Sequence, residues 1–374
     1  MYQHKRLNSE ITFFQKIKQL DYILLTSILI LSSISLFVMY STDGGEILYH
    51  TKSHFIKLVV FFILMLIIAF LNIKIWHFSA YLFYLIIIIF LIWVSFFGIK
   101  VSGSQRWLDL YFIVLQPSEL MKIAIILCLA KYYHRIKTEN VNNFTTISIP
   151  LSIIFIPLIL VLSQPDLGTS ILIALSGIAI LWLGGVKIKY FFYSFITFLI
   201  SMPFIISLLK PYQKLRILTF LDPDRDPLGA GYQIIQSKIA IGSGGFYGKG
   251  FLKGTQSYLD FLPEKHTDFI FTLFSEEFGF LGSIFLLIIY FIIILRIIII
   301  GIISRSSFSK LFCFGFAFAI FIYISVNLSM VLGLLPIVGS PLPIMSYGGS
   351  SMLATMIGFG IVMSAKINHN QTIA

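Results

Sequence analysis

The chain is short of charge, and above all of acidic residues. Only 11% of its 374 residues are charged, with 16 Asp or Glu against 27 Lys or Arg, whereas 58% are hydrophobic. Soluble domains carry about 25% charged residues, so this composition excludes an ordinary soluble protein. The basic residues are scattered between apolar runs and form no continuous arm, which argues against nucleic-acid binding.

Cysteines and the usual nucleophile motifs are also scarce. Cys128 and Cys313 both lie inside apolar runs, which excludes a disulfide framework. No Ser-His-Asp or Cys-His set is recognisable, so covalent catalysis by a side chain is not expected. His50 and His54 have helical i, i+4 spacing, but no third ligand is evident, and a metal site is not expected there.

Long apolar runs dominate what is present. A helix needs about 20 apolar residues to cross a bilayer, and ten runs are candidates. They lie near residues 22–41, 54–72, 80–98, 118–133, 148–163, 169–186, 190–209, 268–295, 311–332 and 345–365. A spanning run must satisfy its own backbone, so the sequence predicts an all-α integral membrane protein. We expect a single polytopic domain over residues 1–374, a bundle of about ten transmembrane helices.

The distribution of Lys and Arg predicts the orientation of this bundle. With ten spans, the short basic loops and both termini fall on one side, which the positive-inside rule makes cytoplasmic. A large extracytoplasmic loop, residues 210–267, then separates spans seven and eight. Its aromatic residues and a helix-like stretch from Gly231 to Gly242 indicate an ordered segment. The chemistry is therefore expected on the outer side.

Ionisable residues crowd the start of the eighth span, between Asp260 and Glu277. Such groups are expensive at membrane depth, and chains that keep them generally use them. Asp268, close to His266 and just before an apolar helix, is the strongest catalytic candidate. A purely structural alternative is that Thr267 or Asp268 caps this helix.

Two further segments carry polar residues into apolar surroundings. Pro117 suits the first position of a helix, with Gln116 as its cap and Glu119 in its first turn. Lys122 lies three residues on, on the same face, and a Glu–Lys pair inside a bundle indicates a polar cavity or a structural ion pair. Asp166, in the hairpin before the sixth span, is expected to cap that helix.

A glycine-rich stretch, Gly242 to Gly250, superficially resembles a phosphate-binding loop. It departs from the nucleotide-binding pattern because Ser243 replaces the first glycine and Gly250 follows Lys249 where Ser or Thr is required. Its backbone amides could still hold an anion with Lys249, and a flexible surface turn is the equal alternative.

Taken together, these segments resemble the SEDS family of shape, elongation, division and sporulation proteins. The matching segments are Arg106-Trp107, Gln116 to Glu119 with Lys122, Gln164 to Thr169, Asp222 to Gln233, Gly254 to Gln256, Phe261 to Phe271, Glu276-Glu277 and Pro341 to Ser350. The stretches Asp226 to Tyr232 and Gln236 to Gly245 resemble the RodA branch, the rod shape-determining proteins, rather than the FtsW branch.

The resemblance implies a peptidoglycan glycosyltransferase of the bacterial cytoplasmic (inner) membrane. Such proteins polymerise lipid II into glycan strands on the outer face of that membrane, which serves cell wall biogenesis and rod shape during elongation. The implied partners are lipid II, the nascent glycan strand, a class B penicillin-binding protein and the elongation machinery. The family's essential aspartate corresponds to Asp268. The expected substrate-binding residues are Arg106, Trp107, Glu119, Lys122, Gln164, Asp166, Arg216, Lys249, Gln256, Glu264 and His266.

One carboxylate can suffice for this reaction, because a pyrophosphate leaving group needs no protonation. Asp268 would act as general base on the acceptor sugar's 4-hydroxyl. Positive charge for the pyrophosphate would come from one of several basic residues or from a divalent cation such as Mg²⁺ or Mn²⁺. Two alternatives are a lipid II flippase, and a scaffold that only recruits the penicillin-binding protein. Asp268→Ala would be harmless in the scaffold.

Overall fold

The fold is known from a computed structural model that describes residues 12–101, 104–109, 114–208, 211–226, 229–255 and 264–373. Helices make up most of it. They are α1 (Phe13–Lys18), α2 (Tyr22–Thr42), α3 (Tyr49–Phe70), α4 (Ile73–Phe97), α5 (Pro117–His134), α6 (Phe144–Ser163), α7 (Leu167–Leu183), α8 (Ile188–Leu208), α9 (Pro211–Leu221), α10 (Ala230–Gly244), α11 (Ile270–Ile303), α12 (Ser307–Val331) and α13 (Gly349–Ile367). Three short strands are β1 (Ile99–Val101), β2 (Ser104–Asp109) and β3 (Val114–Leu115).

A helix stands at each of the ten predicted spans, and the chain is a multi-pass membrane protein. Among the described residues, seven helices are long and apolar enough to cross a membrane: α2, α3, α4, α6, α11, α12 and α13. α7 and the first part of α8 are shorter apolar helices. α5 carries Glu119, Lys122 and Lys131, which lower its hydropathy. The all-α membrane class is confirmed, and the count of ten spans stays a prediction.

α5 is the central helix of the bundle. Nearly all of its residues are buried, from Pro117 through Lys131, because α4, α7, α12 and α13 pack around it. Its apolar residues therefore belong to the common core, and Glu119 and Lys122 enter that core with them. We call the end of the bundle where α5, α7, α11 and α13 begin the site end.

The segment between α4 and α5 contains a small antiparallel sheet of order β1-β2-β3. Ile99 pairs with Trp107, and Leu108 pairs with Leu115. Side chains alternate between the two faces of a strand, so Arg106 and Leu108 of β2 point to the same face. Strands this short carry too little periodicity to be recognised from sequence.

The long segment between α8 and α11 contains structure, as predicted. α10 includes the helix-like stretch Gly231 to Gly242, and α9 adds a second helix. The expectation that Thr267 or Asp268 caps α11 is wrong, because Phe269 occupies the cap position and no side chain caps it. Phe269 is fully buried, so packing rather than a polar cap sets where this helix begins.

Candidate active site

Asp268 lies in a turn, residues 264–269, whose backbone is held at three successive carbonyl groups. The amide of Tyr347 donates to the carbonyl of His266 at 2.8 Å. The hydroxyl of Ser346 donates to the carbonyl of Thr267 at 2.6 Å. The side-chain amide of Asn327 donates to the carbonyl of Asp268 itself at 2.9 Å. Consecutive anchors of this kind fix the direction of the Asp268 side chain.

The loop between α12 and α13, residues 332–348, provides most of these anchors, and we call it the central loop. Asn327 of α12 also donates to the carbonyl of Ser340 at 2.7 Å, so one buried amide joins the central loop to Asp268. Gly339 has a φ of 70°, and a Cβ placed on it would lie 3.5 Å from Oδ2 of Asp268. The central loop therefore approaches the carboxylate with bare backbone.

The surroundings of Asp268 alter its acidity. Its pKa is raised to about 7, chiefly by burial and also by the neighbouring carboxylates of Glu264, Asp166 and Glu119, and the guanidinium of Arg216 opposes this rise. Desolvation and like charges both disfavour the ionised carboxylate. A carboxyl group with a pKa near 7 is divided between its two forms at neutral pH. Its ionised form can therefore accept a proton, and the raised pKa makes that form a stronger base.

A second polar cluster lies in the first turns of α5. Lys122 Nζ donates to Glu119 Oε1 at 2.8 Å, and both side chains are buried. Tyr323 of α12 donates its hydroxyl to the other oxygen of Glu119 at 3.2 Å. Its ring also lies under the Lys122 ammonium, 3.9 Å from the ring centre. The pair thus has the charge-assisted hydrogen bonds that a buried ion pair requires.

The hairpin between α6 and α7 forms a third polar group, next to β2. Asp166 caps α7 as predicted, accepting from the Thr169 amide at 3.2 Å. The same carboxylate accepts from the Gln116 side chain at 3.2 Å and lies 3.7 Å from Arg106 Nη1. Arg106 also donates to the carbonyls of Gln164 and Pro165. Gln116 lies at the cap position of α5, yet its side chain serves Asp166 and does not cap.

The central loop joins these groups into one site. Arg216 of α9, an exposed residue, donates to the carbonyl of Ile337 at 3.0 Å. The carbonyl of Val338 packs so closely on Gly168 at the start of α7 that a Cβ there would lie 2.2 Å from it. Asp166 and Glu119 raise the pKa of Asp268 because all three carboxylates lie at the site end.

Other predicted site residues have structural contacts. Gln164 links α6 to α4 by donating to the carbonyl of Leu91 at 2.9 Å. Lys249 pairs with Glu276 at 2.7 Å, and Thr255 donates to the same oxygen, so the glycine-rich stretch is tied to α11. Trp107 lies on β2 and is partly exposed. Gln256 lies outside the described residues.

His266 and Glu264 flank the turn that carries Asp268. His266 Nδ1 lies 3.0 Å from Thr42 Oγ1, and its ring stacks on that of His50 with centres 4.1 Å apart. Glu264, an exposed residue, accepts from the Thr267 hydroxyl at 3.0 Å and has no direct bond to the Asp268 carboxylate in the described contacts. The substrate roles predicted for the two residues stay predictions.

The structure adds partners that sequence reasoning did not identify. Tyr323 and Asn327 lie one turn apart on α12, so one helix face serves both Glu119 and Asp268. A polar Tyr and Asn inside an apolar span are the signal that could have indicated them. The anchors Ser346 and Tyr347 belong to the Pro341 to Ser350 segment, recognised as a motif without a role.

In the part of the chain that the structure describes, one group of side chains could hold a metal ion. Asp43, His50 and His266 each offer a ligand atom within 4.8 Å of the others. His54 is not part of it, because its Nε2 lies against Ser35 Oγ at 2.6 Å. Mg²⁺ prefers oxygen ligands, so two imidazoles and one carboxylate fit Mn²⁺ or another transition metal better. The divalent cation expected from the resemblance stays a prediction.

Known proteins resemble this chain along nearly its whole length. A family model described as a cell cycle protein family, FtsW/RodA/SpoVE, matches residues 16–371. The peptidoglycan glycosyltransferase MrdB of Escherichia coli (strain K12) is 42% identical over 356 residues, 94% of this chain and 95% of the relative. The probable peptidoglycan glycosyltransferase FtsW of Buchnera aphidicola subsp. Schizaphis graminum (strain Sg) is 38% identical over 329 residues, 85% of this chain and 92% of the relative.

Solved structures share the fold. A chain of a peptidoglycan synthase complex that coordinates polymerization and crosslinking superposes with a TM-score of 0.81 at 28% identity, covering 94% of this chain and 98% of that one. The rod shape determining protein RodA of Thermus thermophilus superposes with a TM-score of 0.71 at 23% identity, covering 94% of this chain and 98% of that one.

The helix bundle and the buried ionic groups at its site end define a polytopic membrane protein with a polar site inside an apolar bundle. Both the matched family model and the identity to curated relatives cover most of the chain. The chain therefore belongs to the FtsW/RodA/SpoVE family, the SEDS proteins, as its sequence motifs predict.

Proposed function

We propose that this protein is a peptidoglycan glycosyltransferase that polymerises lipid II into glycan strands on the outer face of the cytoplasmic membrane during cell elongation. The observation that supports this most directly is the Asp268 carboxylate, held by three backbone anchors and raised in pKa to about 7. The names of the relatives as peptidoglycan glycosyltransferases supply the reaction class.

Asp268 acts as the general base in this proposal. It removes the proton from the 4-hydroxyl of the acceptor sugar as that oxygen attacks the anomeric carbon of the donor strand. The bond from the anomeric carbon to the pyrophosphate oxygen breaks, and undecaprenyl pyrophosphate leaves as an anion. The leaving group needs no proton, so a second acidic residue is not required.

Arg216 is the basic residue best placed to meet the departing pyrophosphate. Arg216 is exposed, and it lies close enough to Asp268 to lower the pKa of that carboxyl. Its described hydrogen bond goes to a neutral backbone carbonyl. Lys122 and Lys249 instead face the carboxylates of Glu119 and Glu276. Arg106 faces Asp166 and two carbonyls, which leaves less of its charge for a ligand. An unpaired guanidinium stabilises developing phosphate charge most effectively.

A class B penicillin-binding protein is the proposed partner, with the elongation machinery around it. The support is the 28% identical chain that occurs in a complex coordinating polymerization and crosslinking. The outer location and the cytoplasmic termini rest on the basic residues of the short loops, which lie at the end of the bundle opposite Asp268.

The decisive experiment is polymerisation of labelled lipid II by purified protein with its cognate penicillin-binding protein, with moenomycin present to silence polymerases of the other class. Asp268→Asn keeps the shape of the side chain and removes the base. Asp224→Asn, an exposed carboxylate in the same long segment, is the matched control. We expect strands from the wild type and the control only. Equal product from Asp268→Asn would remove this residue from the mechanism. Lipid II transfer between leaflets without strand formation would favour the flippase.

A further inference from the structure

A cleft of about 410 Å³ lies at the end of the bundle opposite the site end. Its walls come from residues 18–23, which join α1 to α2, from Arg296 of α11 and from the end of α13. Ligand sites in proteins commonly have volumes of about 300–1,000 Å³. The residues described as lining this cleft are all distinct from those around Asp268, so the cleft is separate from the candidate active site.

More positive than negative charge lines the cleft. Its one acidic residue among those described, Asp21, is already paired, because Arg296 donates from Nε to Oδ1 at 3.1 Å and from Nη2 to Oδ2. Lys18 and Lys366 also line the cleft, and neither ammonium group has a carboxylate partner among the described contacts. Two positive charges are left without a partner of opposite sign, which predicts an anionic ligand.

The wall that carries Arg296 is held in place. Asp21 is buried, and its Oδ1 also accepts from the amide of Leu24 at 2.9 Å as the cap of α2. The two bonds to Asp21 therefore fix the guanidinium, and no described contact engages its third nitrogen, Nη1. On the opposite wall, the ring of His369 donates from Nδ1 to the carbonyl of Lys366 at 2.9 Å. A guanidinium that is fixed on one edge can donate to a phosphate oxygen from its free edge.

The cleft has apolar walls beside the charged ones. Tyr22 and Ile23, at the start of α2, line it and are each about half exposed. Next to them, α1 exposes the rings of Phe13 and Phe14. Exposed aromatic and aliphatic side chains beside lysines are typical of the membrane–water interface. An anion in this cleft therefore lies at the depth of lipid headgroups, with apolar surface next to it.

We propose that this cleft binds the headgroup phosphate of an anionic phospholipid from the membrane leaflet at that end of the bundle. Lys18, Lys366 and the free edge of Arg296 meet the phosphate, and the acyl chains lie along Ile23 of α2. Basic pockets between membrane helices are known to take anionic headgroups in this way.

The lipid contacts α1, α2, α11 and α13, whose ends meet at the cleft, so it stabilises that end of the bundle. A free phosphate ion would use the cations alone and leave the apolar walls uncovered, which favours the lipid as the occupant. The proposal goes beyond the glycosyltransferase reaction and does not depend on it.

Native mass spectrometry of the delipidated full-length protein in detergent tests the cleft, with phosphatidylglycerol as the probe. We expect one firmly held phosphatidylglycerol per chain, weaker retention of zwitterionic phosphatidylcholine, and no displacement of the lipid by inorganic phosphate. The double variant Lys18→Gln, Lys366→Gln should bind phosphatidylglycerol roughly 10- to 30-fold more weakly, because both unpaired cations are lost.

The matched control is the double variant Lys187→Gln, Lys189→Gln. It removes the same charge from exposed positions in the loop between α7 and α8, at the same end of the bundle but outside the cleft. We expect this control to bind phosphatidylglycerol like the wild type. Melting temperatures without lipid check the folding of each variant. Lys18→Gln and Lys366→Gln alone, each losing part of the affinity, keep the test valid if the double variant fails to fold.

Three results would overturn the proposal. Equal weakening in the two double variants would mean general attraction to a basic surface, and unchanged binding in both would remove the cleft. Equal retention of phosphatidylglycerol and phosphatidylcholine would exclude recognition of the anionic headgroup. Displacement by inorganic phosphate would make the cleft a site for the free ion. The test of Asp268 is unaffected by any of these results, because strand formation is measured separately.

Discussion

At the scale of single residues, the site depends on how Asp268 is held rather than on how many carboxylates surround it. Its side chain extends from a backbone anchored at three successive carbonyls, and its pKa is raised to about 7. Burial and neighbouring negative charge oppose ionisation, and Arg216 limits the effect. This balance keeps a base that is effective at neutral pH.

The pH dependence of polymerisation should follow the Asp268 carboxyl. Below pH 7 the group is protonated and cannot accept the proton of the acceptor hydroxyl. We therefore expect kcat/KM to rise with pH and to level off above about 7, with a loss on the order of tenfold for each pH unit below it. Initial rates of strand formation between pH 5 and 8.5 measure this. A profile unchanged from pH 5 to 8.5 would contradict the assignment of Asp268 as the base.

Asn327 is a positioning residue for Asp268. Its amide donates to the carbonyls of Asp268 and Ser340, so Asn327→Ala frees both. We expect kcat to fall roughly 10- to 100-fold, with a smaller change in KM, because small misplacements of a catalytic group are costly. Ser329→Ala, on the same helix, is the control. A purely structural role would instead lower the melting temperature and leave the kcat of the remaining folded protein unchanged.

At the scale of elements, glycines let two segments meet without a side chain between them. α11 is interrupted at Gly279, where φ is 65°, and the glycine-rich stretch crosses the interruption. The amides of Phe280 and Leu281 donate to the carbonyls of Gly245 and Phe246. These bonds satisfy backbone groups that the break in the helix releases.

Gly279→Ala should be strongly destabilising. An added Cβ would lie 2.3 Å from the amide nitrogen of Gly248, and the positive φ disfavours any side chain. We expect a loss of at least about 1–3 kcal/mol in the free energy of unfolding. Gly242→Ala is the matched control, since a Cβ there meets nothing within 4 Å and alanine favours the helix by about 0.5–1 kcal/mol. Thermal unfolding in detergent compares the two. Equal stability would mean that the break at Gly279 is not required.

At the scale of the whole molecule, acidic residues are concentrated at the site end of the bundle, and the short loops at the opposite end are basic. The acidic residues of the site lie where α5, α7 and α11 begin. Basic residues follow the other ends of these helices, on the opposite side of the bundle. At that opposite end Arg296 pairs with Asp21 at the start of α2. The division predicts one orientation in the membrane.

Labelling of single cysteines tests that orientation. In a Cys128→Ala, Cys313→Ala background, we place one cysteine at Asp224, Glu139 or Thr372, all exposed. A membrane-impermeant maleimide added to spheroplasts should label position 224 only. After permeabilisation, the maleimide should also label positions 139 and 372. The reverse pattern would invert the orientation, and an odd number of spans would separate the label at 372 from that at 139.

Much of the fold could be predicted from the sequence, because the length and hydropathy of an apolar run decide whether it can form a membrane-spanning helix. The Glu119–Lys122 pair was also predictable, since three-residue spacing on one helix brings side chains together. The central loop overlaps the Pro341 to Ser350 segment that matches the family, but its contacts could not be foreseen. Tyr347 is hydrogen-bonded to His266, and Ile337 to Arg216, although the residues of each pair are far apart in the chain.

The sequence by itself determined the membrane class, the position of nearly every long helix and the identity of Asp268 as the leading candidate. Those properties follow from composition and from local periodicity, which each segment carries alone. Only the tertiary structure decided which residues hold Asp268, which basic groups are already paired, and that Asp43 and His50 meet His266. Such contacts depend on how helices pack against one another, and no single segment of the chain contains that information.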